Sequence, residues 1–125
     1  MSNITFEDFQ KLDIRMGTIT KAEVPEWSHW VMKLTVDLGS ELGKRTVFAG
    51  IMHFFEGKEL EGKQSPFIVN IEPKNIGPKG DKSEGILLMA TPKLSEPLII
   101  EGEKVKEKPV LLIPQEKVAN GTKVR

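Results

Sequence analysis

Seven residues, Met32 to Leu38, constrain this chain more than any other stretch. Met32, Leu34, Val36 and Leu38 alternate with Lys33, Thr35 and Asp37. Alternation with a period of two puts one set on each face of a strand, so the segment is half-buried with Lys33 on its outer face. Gly39 to Gly43, GSELG, then supplies a turn. Lys44 to Ile51 follows as a second strand, with Val47, Ala49 and Ile51 on one face. Arg45 shares their parity, which places it beyond the core at the start of that strand.

The flanking segments extend the same picture. Thr5 to Leu12, TFEDFQKL, predicts a short helix capped by Thr5, with Asp8 in place of the Glu or Gln of a full capping box. Phe6, Phe9 and Leu12 fall on one face of it. Asp13 to Val24 has strand character, but Ile14 and Met16 share one parity while Ile19 has the other. A strand that changes its buried face needs a bulge or bend, and Gly17 stands at the switch. Long first strands bent at a glycine are common in small closed barrels. Glu26 to Val31 is a loop or strand entry. Residues 52–62 form a connection with room for a helical turn. Phe67, Val69 and Ile71 make a fourth strand behind Pro66, and Ile86 to Ala90 a fifth. The fifth is continuously apolar, which predicts cover on both faces. PLIIEGEKVKEKPVLLIP, residues 97–114, reads as two short strands around a charged, glycine-containing turn. Asn120-Gly121 is a further turn signal. One continuous domain over residues 1–125 is expected.

Composition narrows the chemistry. Cysteine is absent, which removes disulfides, thiolate metal sites and thiol nucleophiles together. His29 and His53 are the only histidines, and neither has a partner at metal-ligand spacing, so no metal site is expected. No GxSxG, Walker or Rossmann pattern occurs, and no pair of carboxylates stands in an evident apolar pocket. The sequence therefore predicts neither catalysis nor a cofactor. The first ten residues lack the basic flank and apolar centre of a signal peptide, and no apolar run nears the roughly 20 residues that span a bilayer. A soluble, cytoplasmic protein without membrane contact is the expectation.

The 18 Lys and Arg balance 18 Asp and Glu. Distribution matters more than the sum. Acids gather in 56–62 and 101–107, read as solvated turns, whereas three lysines and one acid lie between Lys74 and Lys82. Lys33 and Arg45 belong to adjacent strands, and Lys74, Lys79 and Lys82 to a loop leaving the same sheet. Converging, the five would form a groove that tracks phosphates. Each alone is an ordinary solubilising charge. Trp27 and Trp30 in the first loop have two readings: they cover the barrel end or a subunit contact, or they stack on unpaired bases.

These residues together resemble the tRNA-binding domain family. FEDFQKLDIRMGTITKAE matches its helix and first strand, and MKLTVDLGSELGKRTVFAGI its second and third strands. NIEPKN with SEGILLMA matches the motif around the fourth and fifth, and ANGTKVR its ending. Nearly the whole chain is covered. The departures are Met16, Ile71 and Ile86 at family positions, the two tryptophans of the first loop, and different segments at 74–82 and 91–108. The resemblance implies an all-β fold: a five-stranded OB-fold Greek-key barrel with a short N-terminal helix and a C-terminal strand extension. It implies a homodimer built with the N- and C-terminal segments that recognises tRNA by shape and assists an aminoacyl-tRNA synthetase or another tRNA enzyme in trans; the same module is found as C-terminal extensions of methionyl-tRNA synthetases. Lys33, Arg45, Lys74, Lys79 and Lys82 would then bind phosphates. Asn70, Ser83 and Glu84 would hydrogen-bond backbone, sugar or base edges. The CsaA-like branch of the family implies another role, an export chaperone that holds unfolded peptides in an apolar groove of the dimer.

Overall fold

The computed structural model describes residues 1–125. The chain opens with α1 (Phe6–Gln10), fixed by a reciprocal capping box. Thr5 Oγ1 accepts from the Asp8 amide at 3.1 Å, and the Asp8 carboxylate accepts from the Thr5 amide at 3.3 Å. Next come β1 (Ile14–Glu23), β2 (Met32–Asp37), α2 (Gly39–Leu42), β3 (Lys44–Ala49), α3 (Gly57–Leu60) and β4 (Gln64–Ile68). Short strands follow: β5 (Lys74–Ile76), β6 (Asp81–Ser83), β7 (Ile86–Leu87) and β8 (Met89–Ala90). The chain ends with β9 (Lys93–Ile100), β10 (Glu103–Glu107), β11 (Val110–Leu111) and β12 (Lys123–Val124).

The main sheet runs β3-β2-β1-β4-β7, with β12 also paired to β1. It curls until its two ends meet. The Glu84 amide, just before β7, donates to Thr46 O of β3 at 2.8 Å, which satisfies an edge that would otherwise be open. The result is an OB-like all-β barrel. Its core holds the alternating set of β2, Met32, Leu34, Val36 and Leu38, with Ile19, Val47, Ile51, Leu60 and Phe67. Complete burial of one such side chain contributes roughly 1.5–3 kcal/mol, which is what drives closure.

β1 serves two layers. Ile19 points into the core, whereas Ile14 and Met16 are buried outside that cluster. Ile14 lies with Phe6, Phe9 and Val124, and Met16 with Pro66, Leu112 and Ile113. Gly17 lets the strand press onto the core, since a Cβ there would lie 2.7 Å from both Leu38 Cδ2 and Val36 Cγ1. The bulge itself falls between Ile19 and Lys21, not at Gly17, because pairing to β4 stays regular through Thr18.

Other expectations are corrected. GSELG forms a single turn of helix rather than a plain turn. Residues 56–62 are not wholly solvated, because Leu60 of α3 is fully buried in the core. β4 stops at Ile68, so Ile71 lies outside it and is exposed. The fifth strand breaks at Leu88, whose amide still donates to Pro66 O of β4 at 3.1 Å, and beyond it the chain continues as β8 against β11. Its outer side carries no covering layer, so Ile86 is 39% exposed. β9 and β10 form a hairpin that pairs with no other strand, but its second strand is Glu103–Glu107, inside the 101–107 segment read as a charged turn, and Val110–Leu111 pairs with β8 instead.

Candidate nucleic-acid interface

The outer face of β2 and β3 is set by register. Lys33 pairs with Phe48, Thr35 with Thr46, and Val36 with Arg45. Directly paired residues share a face, so Lys33 and Phe48 stand together outside while Arg45 turns to the inner side. Lys33 and Arg45 therefore do not converge. Phe48 is the residue that sequence reading missed. Its parity, opposite to Val47 and Ala49, was the available signal.

Trp27 meets this face. Its ring centroid lies 6.1 Å from that of Phe48, tilted by 43°. Its six-membered ring also abuts Gly77, at the turn between β5 and β6. Trp27, Lys33, Pro78 and Lys79 line an open cleft of about 710 Å³ between the first loop and the hairpin. Glu23, Glu26 and Asp81 line it too, so the cleft mixes two ammonium groups with three carboxylates.

The hairpin itself was not legible as one, and it splits its lysines. Lys74 pairs with Ser83 and Asn75 with Lys82, so Lys74 and Lys82 face opposite sides. Lys74 belongs to a second cleft of about 530 Å³, mostly apolar, with Phe48, Ile71, Ile76 and Ile86 in its walls. Lys82 is exposed. None of Lys33, Lys74, Lys79 and Lys82 takes part in an ion pair.

The remaining candidates make hydrogen bonds within the chain. Asn70 Oδ1 accepts from the Asp13 amide at 2.8 Å and Asn70 Nδ2 donates to Lys11 O at 2.6 Å. Ser83 Oγ accepts from the Phe48 amide at 3.0 Å and donates to Gly85 O at 3.3 Å. Glu84 Oε1 accepts from the Thr46 amide at 3.2 Å. Arg45, half-buried, donates from Nη1 to Val69 O at 2.7 Å and to Glu84 O at 3.4 Å. Ser83, Glu84 and Arg45 pin the hairpin and the barrel seam, and Asn70 the junction of α1 and β1. Trp30 lies elsewhere, over Gly50 and 5.3 Å from the His53 ring, whose Nε2 donates to His29 O at 2.7 Å. It lines neither cleft.

A cation that the sequence did not single out, Arg15, is likewise committed. Its Nε donates to Asp13 at 2.7 Å and its Nη1 to Gly121 O at 3.1 Å. The bond to Asp13 raises its pKa further above the ordinary guanidinium value. No three His, Asp or Glu side chains gather in a group that could hold a metal ion. No helix is long and apolar enough to cross a membrane.

A family model described as a tRNA binding domain matches residues 14–123. The chain belongs to the tRNA-binding domain family. Among curated proteins it is similar to the methionine–tRNA ligase of Archaeoglobus fulgidus, 38% identical over 121 residues, which is 97% of this chain and 16% of the ligase. The methionine–tRNA ligase of Pyrococcus furiosus is 34% identical over 125 residues, 100% of this chain and 15% of that enzyme. The chain thus spans about a sixth of those relatives. Two solved structures match over nearly their full length. The chaperone CsaA from Bacillus anthracis gives a TM-score of 0.78 at 34% identity, covering 99% of this chain and 100% of that one. The MetRS related protein from Pyrococcus horikoshii gives 0.79 at 31% identity, covering 100% of both.

For this tRNA-binding domain the geometry divides the candidates into two sets. Lys33, Lys74 and Lys79 keep free charges in the clefts beside Trp27 and Phe48, and Lys82 keeps one on the other side of the hairpin. Arg45, Asn70, Ser83 and Glu84 build the frame that carries them.

Proposed function

We propose that this domain, residues 1–125, is a non-catalytic, structure-specific tRNA binder of the cytoplasm. The observation that carries the proposal is the cleft in which unpaired Lys33 and Lys79 stand beside Trp27. Two ammonium groups across a groove neutralise phosphates and release counterions, which supplies affinity without reading sequence. The three carboxylates of the cleft are hydrogen-bond acceptors, suited to 2′-hydroxyl and base amino donors rather than to phosphate. Lys74 and Lys82 extend the contact along both sides of the hairpin.

The domain acts as a homodimer. An apolar surface formed by both ends of the chain supports this: Phe6 is 71% exposed and Ile113 54%, with Leu12, Leu112 and Val124 also exposed. Such a surface is costly to leave wet and suits a second copy. Its similarity to one segment of methionine–tRNA ligases supports service in trans, presenting tRNA to a synthetase or another tRNA enzyme. Size-exclusion chromatography with light scattering tests the dimer.

The main test replaces Lys33, Lys74, Lys79 and Lys82 with glutamine and follows binding of bulk tRNA by gel shift across a salt series. Affinity falls for all tRNAs alike, and the slope of log K against log salt flattens by about 0.7–0.9 for each phosphate that is no longer neutralised. An unchanged slope overturns the reading.

A second reading, a peptide-binding chaperone, is favoured by one observation. The cleft walled by Phe48, Ile71, Ile76 and Ile86 is mostly apolar, and CsaA shares the fold. An extended unfolded segment would lay apolar side chains there. Suppression of client aggregation that survives removal of the lysines supports this role; tight tRNA binding with no effect on unfolded clients removes it.

A further inference from the structure

The hairpin β5–β6 is too small to stand alone. Three residue pairs join its strands around a turn at Gly77 to Gly80. Isolated two-stranded ribbons are at best marginally stable in water. Something must therefore hold it to the barrel. At its base the hold is Ser83, whose hydroxyl accepts the Phe48 amide. At its tip the hold is Trp27.

Gly77 has φ of 77°, and a Cβ there would lie 2.6 Å from Cη2 and 2.7 Å from Cε2 of Trp27. The same indole packs near Phe48, with 6.1 Å between centroids. Trp27 is thus wedged between the barrel wall and the hairpin turn, and much of its ring surface is already committed. Two residues beyond Gly77 is Lys79, which shares the cleft with Glu23, Glu26 and Asp81 yet pairs with none of them. A hairpin free to move would let Lys79 fold onto those carboxylates and forgo its phosphate.

We infer that Trp27 is the positioning residue of the interface: it props the hairpin above the β2–β3 face and holds Lys79 off the cleft's own acids, ready for an RNA phosphate. The inference rests on the tRNA-binding reading. It assigns the indole a role other than stacking on a base. A loop ordered before binding loses less entropy on binding, so the prop raises affinity without touching the ligand.

The test uses the full chain with Lys79→Ala, Trp27→Ala, their combination, and Gly77→Ala, which pushes the indole aside and also strains the left-handed turn at φ 77°. Bulk tRNA binding is measured over a salt series, amide hydrogen exchange over residues 74–83, and thermal unfolding as a check on the barrel. Trp27→Ala is expected to reduce the salt slope by about 0.7–0.9, as Lys79→Ala does. The double variant should bind no worse than either single one, because both abolish the same lysine–phosphate interaction. Exchange in the hairpin should quicken in Trp27→Ala and Gly77→Ala while β1 and β2 stay protected. An additive double variant, an unchanged slope in Trp27→Ala, or unaltered hairpin exchange overturns the inference. Lys79→Ala with undiminished tRNA binding instead removes the RNA reading of the hairpin, and the prop's role with it.

Discussion

Asn70 clasps the entry of the barrel: its Oδ1 takes the amide of Asp13 at 2.8 Å while its Nδ2 reaches Lys11 O at 2.6 Å. One side chain at the end of β4 thereby fixes where α1 stops and β1 starts. Asn70→Ala removes both bonds, each worth roughly 0.5–1.5 kcal/mol net, and should destabilise the domain by about 1–2 kcal/mol in urea unfolding. Asn70→Asp keeps the acceptor and should recover part of that. The tRNA salt slope should stay at its starting value in both. A flattened slope at full stability would make Asn70 an RNA contact.

The parts of this fold that were legible are those with one wet and one dry face. The β2 alternation could be read from Met32 to Leu38 because its inner residues meet a single core. The capping box of Thr5 and Asp8 was legible because it is local. The β5–β6 hairpin was not, since its three-residue strands carry no apolar alternation. Trp27 and Gly77 are 50 positions apart, and no local pattern couples them. Asn70, Ser83 and Glu84 were recognisable as polar residues of a motif. Their partners, however, are backbone groups on β3 and on the link between α1 and β1, which only the closed barrel brings near. Phe48 was legible by parity as an outward residue of β3, but nothing local marks the indole that meets it there.

Ser83 is buried, and its hydroxyl is the acceptor for the Phe48 amide. Ser83→Ala leaves that N–H without a partner beneath the hairpin, at a cost of roughly 1–3 kcal/mol. Stability should fall before affinity does. At a temperature where the variant remains folded, tRNA should bind nearly as well as to the unaltered domain, with the same salt slope. If binding disappears while the thermal midpoint holds, the hydroxyl contacts RNA directly.

Asp8 gives the N-terminal helix a defined acid limit. The bond from the Thr5 amide, helped by Lys11, holds its carboxyl below the ordinary 3.8. A pKa lowered in the folded state means that the capping is complete above pH 3.8 and is lost as pH falls through the folded value. The amide resonances of Thr5 and Asp8 should titrate together with a midpoint below 3.8. Asp8→Asn should abolish that transition. A midpoint at or above the ordinary value would show the box to be open in solution.

Gly17 lies where β1 crosses the core, and its backbone would accept alanine. The obstacle is space, because an added Cβ meets Leu38 Cδ2 and Val36 Cγ1 at 2.7 Å. Leu38 and Val36 are 1% and 0% exposed, so neither can move outward. Overpacking of this kind costs roughly 1–3 kcal/mol. Alanine recovers about 0.5–1 kcal/mol of the chain entropy that glycine loses on folding. The steric effect wins, and Gly17→Ala should destabilise the domain by about 1–2 kcal/mol with an unchanged m-value. Val36→Ala opens room beside it, so the double variant should be less destabilised than the sum of the two single ones. A Gly17→Ala domain as stable as the original would mean that β1 lies farther from the core than these distances state.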